Sequence, residues 1–276
     1  MFFRAQSAIL FVLIAIGHSM AKNLKRGLTF ASNSPNDISK ANDTSSVISW
    51  QYNWGTSPPA YLASSGIPYV PMQWGAGDIA NLSGAVKAQN AKIVLAFNEP
   101  DLSSQSNLSP SDASNLWQQY IQPLRSSGIR LGAPAVTNAP SGRSWLAEFL
   151  GQCPACQPDF IALHWYGEGI GAFYDYIWSM HGQFPNYPIW ITEFASTSSD
   201  DAVVRDFLDQ AIRYLDTLDF IERYAWFGFF VRITLPRLQW NLPHALEMQR
   251  KESGSHYNLL DERGELNDLG HIYLYN

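Results

Sequence analysis

Residues 92–101 read KIVLAFNEPD. Ile93 to Phe97 suit a protein interior, yet the run ends at once on Asn98, Glu99, Pro100 and Asp101. A carboxylate at the tip of an apolar strand is costly unless it is paired, hydrogen-bonded or put to work. Residues 188–195, PIWITEFA, repeat the pattern and end on Glu193. Alternate residues of a strand share a face, so Glu99 falls in phase with Leu95 and Phe97, and Glu193 with Ile189 and Ile191. Both carboxylates are expected to face the same interior.

These two stretches belong to a set of eight apolar or β-branched runs: 27–31, 47–54, 69–74, 92–98, 129–136, 160–166, 188–195 and 223–230. Segments of helical spacing separate most of them. Residues 111–128 open on an Asp/Ser cap and close at Gly128, with Pro123 forcing an interruption. Residues 200–218 place Val203, Phe207, Ala211, Tyr214 and Leu218 at three- and four-residue steps. Strands alternating with helices imply parallel βαβ units. Eight units predict an α/β fold of one kind, a single (β/α)8 barrel of the TIM type. No Gly-rich fingerprint follows the first run, which disfavours a dinucleotide-binding sheet.

Such a barrel carries its function at the C-terminal ends of its strands. The residues that fall there are polar or aromatic: Asn33, Asn53 and Trp54, Gln73 and Trp74, Asn98 and Glu99, Thr137 and Asn138, His164 and Tyr166, Glu193, and Trp226. Two carboxylates facing one cavity raise the pKa of one of them. That is the arrangement glycoside hydrolysis requires, one carboxyl protonating the leaving oxygen while the other attacks or activates water. The structural alternative is a pair of glutamates neutralised by Arg26 or Arg232.

Composition adds an aromatic surplus, of the kind that lines sugar rings or partner proteins. Aromatics make up 14% of the 276 residues, ten of them Trp, and the formal charge is −6. No basic cluster beyond KNLKR (22–26) offers a nucleic-acid surface. Residues 1–21 read as a secretory signal peptide: Arg4, an apolar stretch over 8–17, and SMA before the cleavage point. No second apolar span follows, so no lasting membrane span is expected. Three sequons, at Asn42, Asn81 and Asn107, accord with export as glycosylation acceptors. Cys153 and Cys156 of CPAC are expected to form a local disulfide in a secreted chain.

The eight motifs taken in order, GLTFAS, WQYNW, YVPMQWG, AFNEPD, GAPAV, FIALHWYG, IWITEFA and RYAWFGFF, resemble glycoside hydrolase family 128. These are the fungal alkali-sensitive-linkage-type endo-β-1,3-glucanases, related to the clan A hydrolases. The likeness runs from about Arg26 to Phe230 and resumes over 257–270. It implies one catalytic domain over 22–276, secreted to the exterior or the cell wall, acting as a monomer on β-1,3-glucan. No cofactor and no metal are implied. Glu99 would be the general acid/base and Glu193 the nucleophile. Asn98 would bond the sugar 2-hydroxyl, and His164 and Tyr166 would flank the pair, with Tyr166 donating to Glu193. Trp226 would be a platform under a glucosyl ring, and Trp54 and Trp74 walls of further subsites. Apart from the resemblance, Asp101 reads as a structural anchor of the loop after Glu99. Glu99 is expected to carry the raised pKa and Glu193 to stay ionised. Residues 233–252 depart from the pattern and read as an insertion, either a loop over the cleft or translated intron. Two alternatives stand beside this reading: a non-catalytic β-glucan-binding barrel, and the same chemistry on another β-linked polysaccharide.

Overall fold

The structure, a computed structural model, describes residues 21–30, 35–230 and 256–276. Nearly all of the expected signal segment, Asn33, Arg232 and the 233–252 insertion lie outside the described residues. The chain is an α/β protein built on parallel strands. Five strands form one sheet in the order β2 (Trp50–Tyr52), β1 (Arg26–Phe30), β7 (Ile221–Phe229), β6 (Ile189–Ser196) and β5 (Ile161–Gly167). Two short strands, β3 (Ile93–Val94) and β4 (Arg130–Leu131), pair separately, and every one of these pairings is parallel.

The strand expected over 69–74 is not continuous. It makes only single parallel bridges, Tyr69 to Gln51 and Met72 to Leu95. Pro68 and Pro71 lack the N–H groups a full ladder needs. The 129–136 run is likewise cut to two strand residues followed by bridges from Gly132, Ala135 and Val136, and Pro134 interrupts it.

Helices fill the crossovers. The segment expected as one helix over 111–128 starts as α4 (Pro110–Leu116), where the Ser109 hydroxyl accepts the Asp112 N–H at 3.0 Å and Pro110 takes the first turn. It loosens into a π turn at Trp117–Ile121 and a 3-10 turn at Gln122–Ser127, as Pro123 requires, and ends on Gly128 at φ 75°. Helix α7 (Asp201–Thr217) buries Val204, Phe207, Leu208, Ala211, Ile212 and Leu215. Val203 is exposed, so the buried stripe is centred one residue beyond the expected one. Trp165 packs outside the sheet, stacked on Phe207 of α7 at 5.2 Å.

The N-terminal ends of the strands close over an aromatic floor. Phe160 stacks on Trp190 at 4.1 Å, Trp190 tilts against Trp50, and the Arg223 guanidinium lies 4.6 Å from the Trp190 ring centre. Gly27 lies directly against the Trp50 indole, where a Cβ has no space. A group of buried polar side chains gathers at the opposite ends: Thr29, Gln73, Asn98, Glu99, His164, Thr192 and Glu193.

Candidate active site

Glu99 follows β3, and its N–H donates to Ala135 O at 2.7 Å. Its backbone is left-handed, φ 42°, a strained state for a residue with a side chain. Glu193 sits on β6 beside a register shift between Ile191 and Phe194. Strict alternation would send Thr192 and Glu193 to opposite faces. The irregularity lets both reach one imidazole, as bulges near active sites do: His164 Nε2 lies 3.0 Å from Thr192 Oγ1 and 3.4 Å from Glu193 Oε1. The other ring nitrogen, Nδ1, lies 2.8 Å from Glu99 Oε1. His164 therefore bridges the two carboxylates, and each of the three residues offers an atom within 4.8 Å of the others'.

Three donors converge on Glu193. Tyr166 Oη donates to Oε2 at 2.6 Å and Trp54 Nε1 to Oε1 at 2.7 Å, while Tyr52 Oη shares its one proton between Oε1 at 3.2 Å and Thr192 O at 3.0 Å. Burial and the Glu193 charge hold both tyrosines well above their ordinary pKa, so they stay donors. This set fits a carboxylate held by hydrogen bonds better than a bound cation, because an indole N–H cannot turn a lone pair to a metal.

The electrostatics depart from expectation. Burial pushes the Glu193 carboxyl above the ordinary range and the Glu99 charge adds to it, while His164, Tyr166 and Trp54 pull it back. Glu193 is the more deeply buried of the two carboxylates, 1% exposed against 7% for Glu99. Burial opposes charge on His164 as well, yet the Glu193 and Glu99 carboxylates raise it above the usual imidazole value.

Glu99 opens on a cleft of about 330 Å³ lined also by Leu102, Gln105, Thr137, Asn138, Tyr166 and Phe227. Asn98 is fully buried beside it, its Nδ2 donating to Gln105 Oε1 at 3.3 Å. Trp74 is half-buried, and its carbonyl accepts the Asn98 N–H at 2.8 Å.

Two aromatic assignments need correction. Trp226 has no exposed surface: its ring packs against Phe194 and Phe207, and Nε1 donates to Tyr257 O at 2.8 Å. It faces the helix layer, and its neighbour Phe227 takes the cleft. Trp54 is 6% exposed and acts on Glu193, not as an open subsite wall. The neutralising arginine is excluded at Arg26, which pairs instead with Asp216 at 3.1 Å and reaches the last turn of the C-terminal helix α8 (Asp268–Tyr275). Tyr52, Thr192 and Phe227 were not anticipated. Cys153 and Cys156 are joined by a disulfide. Asn42, Asn81 and Asn107 are all exposed.

With this geometry in place, likeness to known proteins becomes informative. The profile of the glycosyl hydrolase catalytic core family matches residues 27–273. The chain belongs to that family and is a glycoside hydrolase. It is 35% identical over 238 residues to alkali-sensitive linkage protein 1 of Schizosaccharomyces pombe, covering 82% of this chain but 40% of that protein. Among solved structures it is 31% identical, with a TM-score of 0.72, to a subgroup III curdlan-specific exo-β-1,3-glucanase of glycoside hydrolase family 128 from Blastomyces gilchristii, in complex with glucose, covering 90% of this chain and 97% of that one. A subgroup I endo-β-1,3-glucanase of the same family from Amycolatopsis mediterranei, in complex with laminaritriose, is 30% identical at a TM-score of 0.69, covering 91% and 98%. The resemblance to family 128 read from the motifs thus holds.

Proposed function

We propose that this hydrolase is a secreted β-1,3-glucanase that cleaves with retention of configuration, Glu99 acting as general acid/base and Glu193 as nucleophile. The observation that carries the reading is the spacing of the two carboxylates, whose nearest atoms lie within 4.8 Å of each other and of His164. Retaining hydrolases hold their carboxyls about 5–5.5 Å apart, and inverting ones leave a wider gap for water, about 6.5–9.5 Å.

In the first step the Glu99 proton passes to the glycosidic oxygen as the C1–O bond breaks and a Glu193 oxygen bonds to C1. In the second, a water gives its proton to Glu99 and its oxygen to C1, releasing Glu193. Glu193 must be ionised to begin. The Tyr166, Trp54 and Tyr52 donors favour that form against the pull of burial. His164, bonded to Glu99 and near Glu193, keeps the two groups in one electrostatic unit. Glu99, on the more open side, meets the leaving oxygen.

The parallel bridges favour a closed eight-membered ring. Through Tyr69 and Met72 they link β2 to the end of β3, and through Gly132 and Val136 they link β4 to β5. β-1,3-Glucan as substrate is supported by the two family 128 relatives, each described as a β-1,3-glucanase. The signal-like residues 1–21 and three exposed sequons support export of a glycosylated domain spanning 22–276.

Release of reducing ends from laminarin and curdlan tests the activity. Wild-type protein is expected to release them and Glu193→Gln to bind glucan without cleaving it. Binding without cleavage by the wild type would establish a non-catalytic glucan-binding protein instead. Cleavage of a β-1,4-glucan or β-mannan in preference would move the same chemistry to another polymer.

A further inference from the structure

The turn that carries Glu99 is tied to the segment following β4 by one side-chain pair. Asp101 Oδ2 accepts the Thr137 hydroxyl at 2.5 Å, and Oδ1 accepts the Thr137 N–H at 3.2 Å. Helix α5 (Pro140–Gln152) closes against the pair, and a Cβ at Gly142 would lie 3.2 Å from Asp101 Oδ2. The same short segment reaches the other side of the site. Val136 O accepts the His164 N–H at 2.9 Å, and the Asn138 amide bonds both the N–H and the carbonyl of Tyr166, at 3.3 and 3.2 Å. Residues 135–138 thus touch the backbone of Glu99, His164 and Tyr166 in turn.

Glu99 needs such a hold. A left-handed φ on a non-glycine residue persists only where its surroundings over-determine it. Pro100 has no N–H with which to fix the turn. The first side chain after it that grips another strand end is Asp101. Thr137 forms part of the cleft wall, whereas Asp101 does not.

We infer that Asp101, acting through Thr137, is a positioning residue for proton transfer by Glu99, setting the height of its carboxyl against the glycosidic oxygen. This rests on the reading of Glu99 as the acid/base. A displaced acid penalises a sugar leaving group, which needs the proton, and spares a nitrophenolate, which does not. kcat/KM covers binding and the first bond-breaking step and excludes the second step, so slower release from the second step does not blur the comparison.

The experiment measures kcat/KM for laminari-oligosaccharides and for a 2,4-dinitrophenyl β-laminarioligoside. The variants are Asp101→Ala, the isosteric Thr137→Val, and Thr137→Ser. Asp101→Ala and Thr137→Val are expected to lose about tenfold or more on the oligosaccharide and less than about threefold on the activated substrate. Thr137→Ser, which keeps the hydroxyl, is expected to recover most of the oligosaccharide rate that Thr137→Val loses. Equal losses on both substrates would mean a structural role alone and overturn the inference, as would no loss on either. Should Asp101→Ala fail to fold, Thr137→Val decides. Glu99→Ala on the same two substrates separates the two ideas. If it does not spare the activated substrate, the acid/base reading itself fails. If it does and Thr137→Val does not, only the positioning role falls.

Discussion

The indole N–H of Trp54 donates to Glu193 Oε1 at 2.7 Å, from a residue whose own backbone is left-handed at φ 63°. Like Glu99, Trp54 is held in a conformation that a side-chain-bearing residue avoids, and like Glu99 it meets the buried cluster around His164 and Glu193. An indole only donates, so this bond is strongest when Glu193 is ionised. Trp54→Phe keeps an aromatic ring and removes the donor. Turnover on β-1,3-glucan is expected to fall about tenfold to a hundredfold, the worth of a hydrogen bond to a charged group. The sign of the pH effect follows. Burial already raises the Glu193 pKa. Losing a donor raises it further, so the acid limb of the pH–rate profile moves to higher pH. An acid limb that stays in place would mean that the Trp54 bond does not tune Glu193.

The same burial predicts a trade of stability for function. A carboxyl whose folded pKa lies above its unfolded value stabilises the fold at low pH, and that contribution is lost as pH rises through the folded value. Glu193→Gln removes the group that must ionise. Its thermal midpoint is expected to match wild type below about pH 4, where the wild-type carboxyl is protonated in both states, and to exceed it at neutral pH. Calorimetry across this range checks it. A variant less stable than wild type at neutral pH would mean that the three donors outweigh the desolvation.

The disulfide is predicted to matter little to global stability. Cys153 and Cys156 are three positions apart. The chain-entropy model gives about 3 kcal/mol for a loop of about 15 residues and less for shorter ones. The double Cys→Ser variant, followed by denaturant unfolding, is expected to lose less than that. A larger loss would trace to the burial of both side chains, 2% and 5% exposed, rather than to loop closure.

Much of the site was legible because buried carboxylates are rare and conspicuous. Glu99 and Glu193 stood out as charges at the ends of apolar runs, and Tyr166 as a donor one strand away. What escaped depends on register. The irregularity beside Thr192 turns two consecutive residues onto His164, which strict alternation forbids. On β7 the choice between Trp226 and Phe227 is a choice of phase, and a one-residue error exchanges cleft for helix layer. The larger aromatic was the wrong one. Trp54 was visible as a strand-end aromatic, but the use of its N–H depends on a backbone angle that the sequence does not display. The short strands were over-read for a simpler reason: Pro71 and Pro134 sit inside runs whose hydrophobicity alone suggests continuous ladders.

The central claim is that Glu99 and Glu193 act as a retaining pair. Proton NMR of the first products of laminari-oligosaccharide cleavage, recorded before mutarotation, tests it most directly. The account predicts that the new reducing end appears first as the β anomer, with the α form growing in later. Initial release of the α anomer would contradict it and mean direct attack by water.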